Sequence, residues 1–167
     1  IAVAVILVGV ARNPTKQADF RIYYRAAAET ARGLDPYVAE SGTGYPFVYP
    51  PLTLYLFRPF TWLDQLSAQT LWFALEIAAL AAFLWCCHTR FAILSALSPG
   101  LMLFFGVGYN QTILLELRAG NVAIFEQTLL LAGLGLLAAG RTGLFVLAVL
   151  LAGQFKFTPW LFLILPI

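Results

Sequence analysis

Asp19 stands in the stretch Gln17-Ala18-Asp19-Phe20-Arg21-Ile22-Tyr23-Tyr24-Arg25-Ala26-Ala27, a polar segment in a chain otherwise made of long apolar runs. A carboxylate in such a place can take up or release a proton during group transfer. It can equally cap the helix that follows it. Arg21 and Arg25 are four positions apart, so a helix puts both on one face. There a planar guanidinium suits bidentate contact with phosphate, and it suits anionic lipid headgroups as well. Lys156 lies inside an apolar run, where a charge costs several kcal/mol and usually faces a cavity or a partner. Phosphate binding and an ion pair with Glu126 or Glu76 are both open to it. Glu76 and Glu126 are themselves central or nearly central in apolar runs, which points to a polar cavity within the membrane.

The elements that must position these groups follow from composition. Of the 167 residues, 61% are hydrophobic and 11% charged, against about 25% charged in a soluble domain; mean hydropathy is +0.84. This is the composition of an integral membrane protein. The net charge of +2 is too small and too mixed in sign for a nucleic-acid partner. Cys86 and Cys87 are adjacent, so a bridge between them would be strained, and they read as packing residues. The one histidine, His88, sits beside Arg90 in a tight turn, and with no second histidine and no cysteine cluster beyond the Cys86-Cys87 pair no metal site is expected.

A spanning helix needs about 20 apolar residues to cross about 30 Å of hydrocarbon. Four runs meet or approach that length: 67–87, 91–107, 121–139 and 143–165. The shorter run 51–63, started by Tyr49-Pro50-Pro51, either crosses within protein or dips into the membrane and returns. Residues 1–11 are read as the end of a first, truncated transmembrane helix, because the charged region of a signal peptide is missing; the chain is accordingly expected to be a fragment.

Residues 12–50 hold half of the charged residues. Phe20, Tyr23, Tyr24, Ala27 and Ala31 fall at helical spacing and predict an aromatic stripe on a surface helix, ended by Gly33. Residues 40–46 read as a mobile loop, leading to Tyr45, Phe47 and Tyr49 at headgroup level. The tight turns His88-Thr89-Arg90 and Gly140-Arg141-Thr142 each carry a basic residue and no acid, which places them in the cytoplasm. If 51–63 does not cross, the Asp19 segment and the 109–120 loop then share the opposite face. If it does cross, Arg90 and Asp19 fall on one side and the orientation loses that support.

Asp19-Phe20, Tyr23-Tyr24-x-Ala26-Ala27, Gly33-x-Asp35-Pro36-Tyr37, Phe47-x-Tyr49-Pro50-Pro51-Leu52, Pro59-Phe60 and Trp72 occur in this order. They are followed by Gly120-Asn121 before a leucine-rich run, and by Lys156-x-x-Pro159. In order and spacing these pieces resemble the amino-terminal part of glycosyltransferase family 87, polyprenyl-phosphate-mannose-dependent mannosyltransferases of the GT-C membrane fold. One departure is that the family often shows Gly-Gln-x-Asn where this chain has Ala119-Gly120-Asn121-Val122, so the motif does not itself carry a role over to Asn121.

The resemblance implies an all-α polytopic membrane protein. It would have GT-C-like transmembrane helices over 51–167 and a long first extracytoplasmic loop, 12–50, carrying amphipathic helices and the catalytic residue. The implied reaction moves a hexose, mannose first, from a polyprenyl-phosphate donor to a lipid or glycan acceptor in the plasma (inner) membrane. Asp19 would be the general base of an inverting displacement. Arg21, Tyr23, Tyr24, Arg25, Tyr49, Asn110, Asn121 and Lys156 are the candidate substrate-binding residues. No cofactor or metal is expected; the partners are the bilayer, the lipid-linked sugar and the acceptor. Two readings from other classes stand beside it: a transporter or flippase of lipid-linked substrates, with Glu76, Glu126 and Lys156 lining the path, and a noncatalytic membrane assembly partner.

Overall fold

The computed structural model describes residues 17–38, 46–90, 98, 100–101 and 111–165. The expected spans 1–11 and 91–107, the loop 40–46 and the candidates Tyr45 and Asn110 lie wholly or almost wholly outside them. The described residues are helical, with no strand among them. The helices are α1 (Ala18–Ala31), α2 (Pro51–Phe57), α3 (Gln65–Arg90), α4 (Gln111–Ala119), α5 (Ala123–Ala138) and α6 (Thr142–Ala152). Two 3₁₀ segments, Arg58–Trp62 and Thr158–Ile164, follow α2 and α6.

Helix α3 has 26 residues and is the one described helix long and apolar enough to cross a membrane; only 22% of its apolar window is buried within the protein. Its start is fixed by Asp64, whose Oδ1 accepts hydrogen bonds from the backbone N–H groups of Leu66 and Ser67, both 3.1 Å. It runs on through His88-Thr89-Arg90, so the tight turn expected there is instead its last turn.

The other apolar runs are cut shorter than their hydropathy implies. Helix α5 has 16 residues, about 24 Å at about 1.5 Å per residue. Run 143–165 is not one helix. Helix α6 stops at Ala152, a turn over Gly153–Phe155 follows, and Pro159 lies in the next 3₁₀ segment. Proline offers no N–H and disfavours helical geometry at the residue before it, so a continuous helix through Thr158-Pro159 is costly. Run 51–63 divides at Pro59 in the same way, into α2 and the first 3₁₀ segment. Within the expected 109–120 loop, the described part is helix α4.

The core that matters for chemistry is aromatic. Trp72 of α3 stacks on Phe20 of α1 at 5.5 Å between ring centroids, with Phe57 at 4.9 Å and Phe125 of α5 at 4.8 Å. Phe20, Tyr23, Ala26 and Ala27 are the buried face of α1. The predicted aromatic stripe is therefore real, but it packs inward against α2, α3 and the α4–α5 junction, while Ala31 is exposed. Phe47 joins this core at 2% exposure and is not a headgroup residue. Truncating a ring in such a cluster costs about 3–5 kcal/mol.

Elsewhere the packing is plain. Gly133 of α5 lies under Ala148 and Phe145 of α6, which lets the two helices approach closely, and the Arg90 side chain lies over Gly135. Gly143, by contrast, has open space around it.

Candidate functional site

Gly120 organises the site. It follows α4 with φ +71°, a conformation that suits glycine because it has no Cβ. The Asn121 N–H donates to the Glu116 carbonyl at 3.1 Å, closing the helix as a Schellman motif. A Cβ on Gly120 would sit 2.9 Å from the Phe20 Cβ and 3.1 Å from the Gln17 Cβ, so the first turn of α1 rests directly on this glycine. The Trp72 indole N–H donates to the Gly120 carbonyl at 3.0 Å in the buried core. Helices α1, α3, α4 and α5 thus meet at one residue.

The next residue carries this placement to Asp19. The Asn121 side-chain amide donates from Nδ2 to Asp19 Oδ2 at 2.7 Å. Its other end, Oδ1, accepts the Ala123 N–H at 3.0 Å at the start of α5. The backbone donor needs the carbonyl oxygen, so the NH₂ must point at the carboxylate. Asp19 lies in the first turn of α1, yet the residue at the cap position is Gln17, and it makes no side-chain cap bond. The Asp19 carboxylate is thus directed to Asn121 across 102 positions of sequence, and it remains partly accessible.

A pair of hydroxyls stands next to it. Tyr23 Oη and Tyr49 Oη are 2.9 Å apart, and their rings meet edge to face at 5.0 Å. Burial pushes the Tyr23 hydroxyl well above its usual range, and Tyr49 and Asp19 add to this. Burial raises Tyr49 as well; the bond with Tyr23 opposes that rise, and the charges of Asp19, Glu116 and Glu126 reinforce it. Both phenols are neutral donors at ordinary pH. The Gly33-x-Asp35-Pro36-Tyr37 stretch serves this pair: Asp35 Oδ1 accepts the Tyr37 N–H at 2.9 Å, and the Tyr37 hydroxyl donates to the Tyr49 carbonyl at 3.0 Å.

The cations are divided. Lys156 follows the turn after α6, with Nζ 3.9 Å from Glu126 Oε2; of its two expected acidic partners it takes Glu126. That turn is tied to the core by the Thr53 hydroxyl, which donates to the Gln154 carbonyl at 2.8 Å. Arg25 pairs with Glu29 at 3.5 Å along α1, and Arg21 is exposed. Tyr24 donates its hydroxyl to the Leu63 carbonyl at 2.9 Å, which fastens α1 to the end of the first 3₁₀ segment. Of the sequence candidates, Asp19, Asn121, Tyr23, Tyr49 and Lys156 gather here, whereas Tyr24 and Arg25 are engaged elsewhere.

Two further acids are turned into the interior: Glu76, which its place in an apolar run already signalled, and Glu116, which the sequence did not mark. Glu76 is fully buried, and neither carboxylate oxygen has a hydrogen-bond partner; Glu116 and Asp19 are within electrostatic reach of it. Glu116 turns inward, with Oε2 buried, while Arg118 is exposed. Gly120 gave no signal for this, since Gly33 and Gly140 end helices in the same left-handed conformation and are exposed. Comparison with protein-family models, curated proteins and solved structures returned no match.

Proposed function

We propose that this chain forms the catalytic-loop end of a membrane glycosyltransferase of the GT-C type, taking a hexose, mannose first, from a polyprenyl-phosphate donor. The observation that carries the reading is the 2.7 Å bond from Asn121 to Asp19, which holds one carboxylate oxygen and leaves the other for an incoming hydroxyl. In the reaction the acceptor O–H gives its proton to Asp19 as its oxygen attacks the anomeric carbon. The bond from that carbon to the phosphate oxygen breaks on the opposite side, with inversion, and polyprenyl phosphate leaves with the electron pair. Lys156 and exposed Arg21 are the cations proposed to meet that phosphate. The Tyr23–Tyr49 pair supplies neutral donors beside the base.

The bilayer setting is part of the proposal. Helix α3 leaves Leu71, Leu75 and Trp85 exposed, and α6 does the same with Leu144, Leu147 and Leu151. A core helix of a soluble protein buries such residues, whereas lipid accommodates them. On this reading the chain is polytopic, α5 and α6 extend the membrane bundle, and the Asp19 end faces the extracytoplasmic interface.

The test is transfer from radiolabelled polyprenyl-phosphate-mannose to membrane acceptors, with the protein and its Asp19→Asn variant at matched levels. A loss of about 10²–10⁴-fold in the variant is expected of a general base. Equal transfer by both would reduce Asp19 to an architectural role. A second reading, transport of a lipid-linked substrate, is favoured by the buried, partnerless Glu76 carboxyl. It predicts no transfer and a flux that Glu76→Gln abolishes.

A further inference from the structure

Between α3, α4 and α5 lies a cleft of about 140 Å³ lined by Phe83, Ile113, Glu116, Leu117, Ile124 and Gln127. Its walls are apolar except at two points. Glu116 brings to it a carboxylate whose Oε2 is buried and has no hydrogen-bond partner, and Gln127, exposed, stands at its edge. A buried carboxylate oxygen left unsatisfied is costly, so such an atom in a concave site marks a missing donor. The cleft is of the size that holds a single six-membered ring, about 150 Å³ for benzene. It is tied to the Asp19 site through the backbone, since the Glu116 carbonyl accepts the Asn121 N–H at 3.1 Å.

The charge around it selects the donor. The carboxylates of Asp19, Glu116 and Glu126 all lie within electrostatic reach of Tyr49, and Glu116 within reach of Glu126. Lys156, which approaches this group, leans on Glu126. A concave region with this excess of carboxylates repels a phosphate. It accepts hydroxyls readily, and the Phe83 ring and the aliphatic walls suit the C–H face of a sugar.

We propose that this cleft is a hydroxyl-binding subsite for one sugar ring, with the Glu116 carboxylate accepting the ring hydroxyls and the lipid phosphate kept outside. The proposal rests on the reading of the Asp19 site as one that handles sugar.

Saturation-transfer NMR with methyl α-D-mannopyranoside, on the protein in lipid nanodiscs, tests it. Saturable binding is expected, at least ten-fold weaker in Glu116→Gln and absent in Ile113→Trp, which fills the cleft and keeps the charge. Leu144→Trp, on exposed α6 surface, should bind as the parent does. Competition by polyprenyl-phosphate-mannose would assign the ring to the donor, and its absence to the acceptor; both support a sugar subsite. Lack of saturable binding by the parent overturns it, as does parent-like binding by both cleft variants. Tighter binding of methylammonium than of the glycoside would also overturn it, making the cleft a cation site. The transfer assay on the same samples separates the two readings: transfer without cleft binding removes only the subsite, and cleft binding without transfer removes only the role of Asp19.

Discussion

The two ends of this molecule are built on different principles. At the Asp19 end, helices α1, α3, α4 and α5 are joined by directed bonds: Trp72 to the Gly120 carbonyl, Asn121 to Asp19, Tyr23 to Tyr49 and Thr53 to the Gln154 carbonyl. At the far end, α5 and α6 meet through Gly133, Ala148 and Phe145, in van der Waals contact. An apolar contact of small residues fixes only a distance, and neighbours can shift to accommodate a change. A directed bond fixes an atom. The difference teaches that a carboxylate whose direction matters is held by directed bonds, whereas two helices that need only lie close together manage with apolar contact.

The same substitution made at each end breaks the comparison most directly. Gly120→Ala meets Phe20 and Gln17 and also forces a side chain into φ +71°. Overpacking of about 1–3 kcal/mol and a left-handed cost of about 1–2 kcal/mol add to a loss of about 2–5 kcal/mol. A thermal melt in detergent should show it, together with loss of transfer because α1 is lifted off Asn121.

Asn121 comes next. Asn121→Ala removes the cap of α5 and the partner of Asp19, a loss of about 2–3 kcal/mol. Asn121→Asp keeps the capping oxygen but sets two carboxylates face to face. Its stability deficit should shrink as pH falls through about 5–4, where one carboxyl takes a proton and donates to the other. A deficit that does not change with pH would mean that the two side chains do not face each other.

A pH effect sharpens the picture at the hydroxyl pair. Tyr23 and Tyr49 are both raised above the ordinary 10.0, so above that pH the unfolded chain loses phenolic protons that the folded one keeps. Stability is therefore full below pH 10 and falls above it, at about 1.4 kcal/mol per pH unit for each such group. The Tyr23→Phe, Tyr49→Phe double variant should flatten that fall in melts recorded from pH 9 to 11.

The smallest effect belongs to the apolar end. Gly133→Ala places a Cβ 3.1 Å from that of Ala148, but it also gains about 1 kcal/mol of helix propensity. The melt should move by less than about 1 kcal/mol in either direction, with transfer unchanged.

Much of the site was legible in sequence, for separable reasons. Helical spacing of Phe20, Tyr23 and Ala27 placed a helix that is observed as Ala18–Ala31, and Gly33, at φ 76°, ends it as expected. The stripe's destination was not legible, because an aromatic face reads alike whether lipid or protein covers it. Hydropathy found α3 but overran α6, since it sums transfer energies and is blind to the hydrogen bond that Pro159 cannot make. Asn121 is a candidate without a motif behind it, and nothing local marks Glu116 as turned inward.

Sequence by itself determined the apolar composition, the helix-forming runs, the glycine and proline punctuation, and the concentration of charge in residues 12–50. Each of these is a local property, set by side-chain transfer energy or backbone geometry within a few residues. Only the tertiary structure decided that Asp19 meets Asn121, that Tyr23 meets Tyr49, that Lys156 takes Glu126 over Glu76, and that Glu116 faces a cleft. Those pairings join groups far apart in the chain, and they depend on the angle at which α1 docks on Gly120 and Trp72, an outcome of packing that no local pattern encodes.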